Sequence, residues 1–369
     1  MMSNKLPVRN PRTGQNDYEI TITTGDQISK ITSQMRKAQK AWLKAGLTHR
    51  IMVLEKLKTE IANNRNVLIE AVTADTGRLF ISVAEVDGIA GAIDRWNKIA
   101  SSEAVPEMKS STALPFIKYQ VQKQPYNIVG VISPWNFPLT LSLIDALPAL
   151  MAGCAVLIKP SEITPRFAAP LRKVIAEIPE LRDILHIVDG DGSTGAALVD
   201  HVDIVCFTGS VATGRKVAES AARNFIPAFL ELGGKDPALV LDDADLDRAV
   251  TALLRASILN TGHACQSIER IYVARNLFDD FVAKMVERAK SVKLNFPDLR
   301  EGHIGPIIYE KQAYIIKAQL DDAVAKGATI HCGGVIEKHG GGLWCRPTVV
   351  TGLSDDMLLM KEETFGPII

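Results

Sequence analysis

Four short and almost wholly apolar runs, separated by helical stretches, constrain this chain more than any other feature. Residues 129–133, 155–159, 185–188 and 204–207 each read as a strand, and 139–152, 167–178 and 212–222 carry helical periodicity. Thr164 and Pro165 read as the N-cap and first position of the second of these helices. A strand that is apolar on both faces has to be covered on both, so the pattern predicts a parallel sheet with helices above and below it. The alternation restarts after Gly234, with strands at 238–241, 271–273 and 328–331 and helices at 245–259, 278–292 and 310–326. A second α/β domain is therefore expected from about Leu232.

The segments before the sheet are of a different kind. Short strands and turns are expected up to residue 22, with Asn10, Pro11 and Gly14 as breakers. Over 26–102 the spacing of Ile28, Ile31, Met35, Ala38 and Trp42, and again of Ile51, Leu54, Leu57 and Ile61, predicts several amphipathic helices laid over a sheet. Over 114–124, polar Lys118, Gln120, Gln122 and Gln124 interleave with Ile117, Tyr119 and Val121, the mark of a two-faced strand in an extended hairpin. Two readings stay open for it: an edge that pairs with another subunit, or an edge strand blunted with Lys and Gln.

Composition narrows the function classes. At 369 residues, two or more domains are expected. Lys+Arg and Asp+Glu both total 42, which leaves no basic surplus for nucleic acid or an anionic membrane. Met1 to Pro7 has no apolar core behind its charge, so it does not read as a secretory signal. The longest apolar run, 147–158, is broken by Pro148 and Gly153 and falls short of the roughly 20 residues a membrane helix needs. Cys154, Cys206, Cys265, Cys332 and Cys345 form no CxxC pair and are odd in number, which together with the missing signal predicts a reducing, cytoplasmic location; no metal site is expected.

The candidate chemistry gathers at element ends. Cys265 lies in the stretch 260–269, after a helix and before a strand, where a thiolate can reach a cleft and act as nucleophile. Glu231, followed by Leu232, Gly233, Gly234 and Lys235, supplies a carboxylate beside a backbone able to turn sharply. Paired with Cys265, it would activate the water that finishes an acyl transfer. Parallel sheets bind ligands beyond the carboxyl ends of their strands. Gly209, Ser210 and Gly214 open a helix whose N–H groups suit a pyrophosphate. Lys159 and Glu162 suit ribose hydroxyls, and Gly190 and Gly192 permit close approach of an adenine ring. No G-x-G-x-x-G follows the first strand. Each piece alone is an ordinary strand–turn–helix connection; three at the ends of one sheet point to a dinucleotide. Asn136, bracketed by Pro134 and Pro138, is either a rigid amide donor for an oxyanion or part of a proline-rich turn packed by Trp135.

Six motifs stand in order: Pro134-Trp-Asn-Phe-Pro138, Lys159-Pro-Ser-Glu162, Phe207-Thr-Gly-Ser210, Glu231-Leu-Gly-Gly-Lys235, Gly262-x-x-Cys265 and Glu363-x-Phe-Gly-Pro367. In order and spacing the set resembles the NAD(P)-dependent aldehyde dehydrogenase family. The resemblance implies two Rossmann-like, doubly wound parallel-sheet α/β domains with a small oligomerisation hairpin. Residues 1–106 and 126–231 would bind the dinucleotide, 107–125 would form the hairpin, and 232–369 would be the catalytic domain, incomplete at its C-terminus. It implies Cys265 as nucleophile, Glu231 as general base, and Asn136 with the Cys265 backbone N–H as oxyanion donors. The cofactor set it implies is Ser133, Trp135, Lys159, Glu162, Gly192, Gly209, Ser210, Leu232, Glu363 and Phe365.

The implied reaction runs through a Cys265 thiohemiacetal and thioester to a carboxylic acid. Glu162 favours NAD because a carboxylate repels a 2′-phosphate, while the adjacent Lys159 leaves NADP open. Leu141, Ile144 and Leu259 match the family's substrate tunnel. Ile144 and Asp145 stand where members acting on succinate semialdehyde have an Arg-Lys pair, so an uncharged aldehyde is expected. A homodimer or homotetramer is implied for the full-length form. Two departures matter. His263 replaces the usual Gln two residues before the nucleophile, where an imidazole either shifts the thiol or simply packs. Family members also continue past the equivalent of Ile369, so this chain reads as a fragment or a truncated product with apolar surface uncovered. The alternative is a non-catalytic remnant that binds nucleotide or pairs with full-length subunits.

Overall fold

The computed structural model describes residues 4–103 and 108–369. The reading of the N-terminus begins in residues 1–3, and the hairpin assignment begins at 107; those positions lie outside the described residues. The chain divides into two compact units. One takes the described residues up to Leu6, Ile20–Leu68 and Ala84–Glu231; the other takes Pro7–Glu19, Ile69–Val83 and Leu232–Ile369.

The first unit is built on a five-stranded parallel sheet. Its strands in chain order are β1 (Ile128–Ile132), β2 (Ala155–Lys159), β3 (Leu185–Ile187), β4 (Ile204–Thr208) and β5 (Ala228–Glu231), and their order across the sheet is β3-β2-β1-β4-β5. This is the doubly wound arrangement, in which the winding reverses between β1 and β4 and leaves a crevice at their carboxyl ends. Ile132 pairs with Lys159 on one side and Phe207 on the other, and Thr208 pairs with Glu231, so the four strand ends line up in one row. β2 is buried along its whole length, as its unbroken apolar run requires. β5 alternates half-buried and exposed residues. Its signal in the sequence is correspondingly weak, since an edge strand is covered on one side only. Helix Gly192–Val199 crosses close to β1. A Cβ on Gly130 would lie 2.4 Å from Leu198 Cδ2 and 3.1 Å from both Val202 methyls, so glycine allows this approach without displacing them.

Three sequence expectations shift. The helix over 139–152 is two helices, Pro138–Leu143 and Ala146–Ala152. The helix over 167–178 is Ala168–Ala176 with Phe167 at its cap; the Thr164 hydroxyl goes instead to the Trp135 carbonyl, at 3.1 Å. Of the hairpin, Met108–Ser110 pairs antiparallel with Lys118–Gln120, and all six residues are exposed. The helical run is four helices, Gly25–Lys44, Gly46–Asn63, Arg65–Thr76 and Leu79–Glu103. The first opens on a capping box of Thr24 and Gln27 and buries Ile28, Met35 and Trp42 on one face. No helix among the described residues is long and apolar enough to cross a membrane.

The second unit pairs β6 (Asp236–Val240) in parallel with β7 (Ile268–Val273), joined by helix Leu246–Ile258. Asp245 caps that helix by accepting the N–H groups of Asp247 and Arg248 at 3.0 and 3.1 Å. Val250, Phe281 and Met285 form the core beneath it. Thr329–Cys332 with Val349–Thr351, and Ile336–His339 with Gly342–Cys345, make two antiparallel pairs.

Candidate active site

In the first unit, the sequence-predicted residues fall at the carboxyl end of the sheet. Ser133 follows β1 directly and is buried; its hydroxyl meets that of Ser142 at 2.6 Å. The loop onward to Pro138 is fixed from two sides. Thr164 holds the Trp135 carbonyl. Glu85 Oε2 accepts the N–H groups of Leu139 and Thr140 at 3.1 and 3.0 Å, a carboxylate set on a helix start. Asn136 is buried between these anchors. Lys159 ends β2, buried, and its Nζ lies 2.9 Å from Glu162 Oε2. Gly192 opens the next helix, exposed, with Asp191 as cap. Asp191 is held below the ordinary carboxylate range, chiefly by the Ser193 hydroxyl. Gly209 donates to the Glu231 carbonyl at 3.0 Å. Ser210 is the cap of helix Val211–Arg223, with its Oγ 3.3 Å from the Thr213 N–H. Glu231 ends β5 with an exposed side chain. Asp145 and Glu231 share a cavity of about 310 Å³ with Tyr126, Cys206, Phe207 and Phe229. Burial, and then the Glu231 charge, push the Asp145 carboxyl up.

The second unit holds its residues by different means. After helix Leu246–Ile258 the backbone takes three left-handed residues in succession: Asn260 (φ 57°), Thr261 (φ 59°) and Gly262 (φ 71°). For a β-branched threonine this is a strained conformation, of order 1–3 kcal/mol. It persists because its polar groups are tied down. The Thr261 hydroxyl bridges the carbonyl and N–H of Gly305 at 3.2 and 3.1 Å. Buried Arg78 donates to Asn260 Oδ1, to His263 Nδ1 and to the Pro306 carbonyl. A Cβ on Gly262 would stand 2.2 Å from the Gly366 carbonyl oxygen, so the turn 260–265 lies directly on the turn 363–367. Cys265 emerges from it half-buried.

His263 is settled by the same contacts. A guanidinium can only donate, so Nδ1 accepts and the ring is neutral. Complete burial, and then Arg78, hold its pKa well below 6.5. The ring stacks on Phe365 at 5.9 Å and 22°. A neutral imidazole offers no charge to stabilise a thiolate, so of the two expected roles packing is the one it fills.

Glu363 accepts the Gly234 N–H at 3.2 Å, and burial pushes its carboxyl up. Phe365 is left-handed at φ 50°. Leu232, half-buried, begins the last segment of this unit. Leu259 lines a separate cavity of about 800 Å³ with Phe80, Leu254, Arg255 and Leu299. Burial pushes the thiols of Cys154, Cys206 and Cys345 up to about 11, about 12 and about 12, away from the thiolate form a nucleophile needs. Sequence reasoning passed over Glu85, Arg78 and Glu269. All three are charged side chains whose partners, backbone and side chain alike, lie far along the chain.

The profile of the aldehyde dehydrogenase family matches residues 1–369. The chain belongs to that family. An aldehyde dehydrogenase of Anabaena variabilis, PutA, provisionally named as such, is 53% identical with a TM-score of 0.96, covering 99% of this chain and 78% of that one. Betaine aldehyde dehydrogenase of Staphylococcus aureus, solved with NAD+, is 30% identical with a TM-score of 0.92 over 99% of this chain and 74% of its own. A protein of Mycolicibacterium smegmatis, provisionally named an NADP(+)-linked succinate-semialdehyde dehydrogenase, is 36% identical over 367 residues, 98% of this chain and 71% of that protein.

Proposed function

We propose that this aldehyde dehydrogenase oxidises an uncharged aldehyde to its carboxylic acid, with Cys265 as nucleophile and Glu231 as the base of the hydrolytic half. The observation that carries the reading is the braced turn at Cys265: three left-handed residues, tied by Arg78 and Gly305, present one half-buried thiol. Rigid presentation of a nucleophile is worth most where a reaction needs a fixed angle of attack. The Cys265 thiolate forms a C–S bond to the carbonyl carbon as the C=O electron pair moves onto oxygen. The Asn136 amide and the Cys265 N–H then receive that oxyanion. NAD(P)+, when bound, supplies the hydride acceptor. After that oxidation Cys265 carries a thioester. Glu231 takes a proton from water, the water oxygen adds to the thioester carbon, and the C–S bond breaks to release the acid.

The cofactor belongs with the first unit's strand ends. Lys159 and Glu162, already 2.9 Å apart, offer a donor and an acceptor side by side, which suits ribose hydroxyls. Ser210 Oγ is engaged in capping its helix, so the N–H groups of that first turn would meet the pyrophosphate. Glu363 and Phe365 would take the nicotinamide ribose and ring. Ser133, Trp135, Gly192, Gly209 and Leu232 complete the assigned set. The hairpin over 107–125 is assigned to oligomerisation. The substrate assignment rests on Asp145: among the described residues no Lys, Arg or His lines the cavity it shares with Glu231, so an anionic tail would meet two carboxyl groups and no cation there.

The test is reduced-cofactor absorbance with the 369-residue chain on a panel of aldehydes. Uncharged aldehydes are expected to exceed succinate semialdehyde by about tenfold or more in kcat/KM; the reverse order overturns the substrate assignment. E231Q is expected to give an initial burst of reduced cofactor and then stall, and steady turnover by that variant refutes the role of Glu231. Cofactor binding with no turnover on any aldehyde would leave the nucleotide-binding remnant instead.

A further inference from the structure

Glu269 stands four residues beyond Cys265, second in strand β7, with 3% of its side chain exposed. Three donors converge on its two carboxylate oxygens. Oε1 accepts the Phe365 N–H at 2.9 Å; Oε2 accepts the Thr364 N–H at 2.8 Å and Lys235 Nζ at 2.7 Å. Lys235, itself nearly buried, also donates to the Thr364 hydroxyl at 2.9 Å. From the opposite side, Gln312 and Gln319 of helix Glu310–Ala325 donate to the carbonyls of Thr364 and Glu363 at 2.7 and 3.1 Å. The turn 363–365 is therefore gripped on its N–H side by one carboxylate and on its carbonyl side by two amides. Without such a grip, a phenylalanine at φ 50° would relax to an ordinary conformation.

We infer that Glu269 is a positioning residue that fixes Glu363 and Phe365 relative to the nucleophile's own strand. The inference rests on the functional reading above, in which Glu363 and Phe365 meet the nicotinamide end of the cofactor. A buried ion pair contributes little net stability, because both charges must be desolvated. Its value here is geometric. Two consecutive N–H groups and an ammonium need two acceptor oxygens, and only a carboxylate of this length supplies both. A glutamine would turn an NH₂ group toward an N–H or the ammonium and release half of the turn. The Cys265 loop is joined to the same turn through His263 stacked on Phe365 and through Gly262 on Gly366. Glu269 thus closes a ring of contacts that ties nucleophile and cofactor residues into one rigid piece of the second unit.

The test measures E269Q and E269D beside the unmodified chain and C265A, with NADH affinity by fluorescence, steady-state kinetics and thermal melting. E269Q is expected to weaken NADH binding and raise the KM for oxidised cofactor about tenfold, with the KM for aldehyde within about twofold. E269D, which keeps the charge, is expected to recover part of the affinity. Unchanged cofactor affinity in folded E269Q overturns the proposal. So does a loss of kcat that merely tracks the unfolded fraction, with both KM values unmoved. If E269Q does not fold, E269D is judged by the same cofactor criterion. C265A separates the two levels: turnover by C265A refutes the functional reading itself, whereas an inactive C265A beside an indifferent E269Q refutes only the role of Glu269. Failure of the unmodified chain to bind NADH refutes both.

Discussion

The two units carry their candidate residues in opposite ways. In the first, Ser133, Lys159, Gly209 and Glu231 sit where regular parallel strands end, and the ladder itself sets their spacing. In the second, Cys265, Glu363 and Phe365 sit on left-handed or tightly apposed backbone that no regular element would produce. Side chains from distant segments hold it: Arg78, Glu269, Lys235, Gln312 and Gln319. On the proposed reading this is a division of labour: a cofactor that spans several strand ends would be served by a repeating scaffold, and a nucleophile that must approach one carbon from one direction by a strained loop whose strain its surroundings hold.

A matched pair of glycine substitutions would break this comparison if it is wrong. The largest effect is expected from Gly262→Ala. The φ of 71° disfavours alanine, and the added carbon would meet the main-chain oxygen of Gly366 at 2.2 Å, an atom that cannot rotate away. A loss of about 3 kcal/mol or more in unfolding free energy is expected, with activity falling further than stability because the Cys265 turn is displaced. Gly130→Ala is the counterpart in the sheet. Its obstacles are the side-chain methyls of Leu198 and Val202, which can shift, so about 1–3 kcal/mol is expected, with activity following the folded fraction. Denaturant melts with parallel kinetics decide it. Equal effects on activity per unit of stability lost would show that the two regions are built alike.

How much could be read in the sequence follows the same division. The sheet was legible because an apolar run such as 155–159 has one stable setting, buried between helices. The strand ends were legible with it, so Lys159 and Glu231 could be picked out. β5 was not, because at four residues, Ala228–Glu231, it is too short for its alternation to stand out beside the glycines at 233 and 234. Cys265 was legible from its motif, but its supports were not. Arg78 lies in the link between two helices and Glu269 in a strand of ordinary composition, and they act through partners far along the chain, Asn260, His263 and Pro306 for the one and Thr364 and Phe365 for the other, which no spacing rule connects. The Thr164 cap illustrates the reverse error. Its hydroxyl had a plausible local partner, but the Trp135 carbonyl, brought near by the sheet, won it. Local chemistry is readable where the partner is local.

The smallest effect concerns acid, and it sharpens the contrast because the second unit braces its loop with a fully buried, neutral imidazole. His263 is fully buried, and its pKa is depressed by burial and by Arg78. Below about pH 6.5 the unfolded chain binds a proton at this position that the native chain refuses. Native stability therefore falls as pH drops, by up to about 1.4 kcal/mol per pH unit until the depressed native value is reached, and is unaffected above that range. Gln has no such proton to bind. His263→Gln should therefore leave stability above pH 7 little changed except for the lost stacking on Phe365. Between pH 7.5 and 5 it should narrow the difference in unfolding free energy. Urea melts at the two pH values measure this directly. An unchanged pH dependence in His263→Gln would mean that the imidazole takes up its proton in the folded protein, and that Arg78 is not held against a neutral ring.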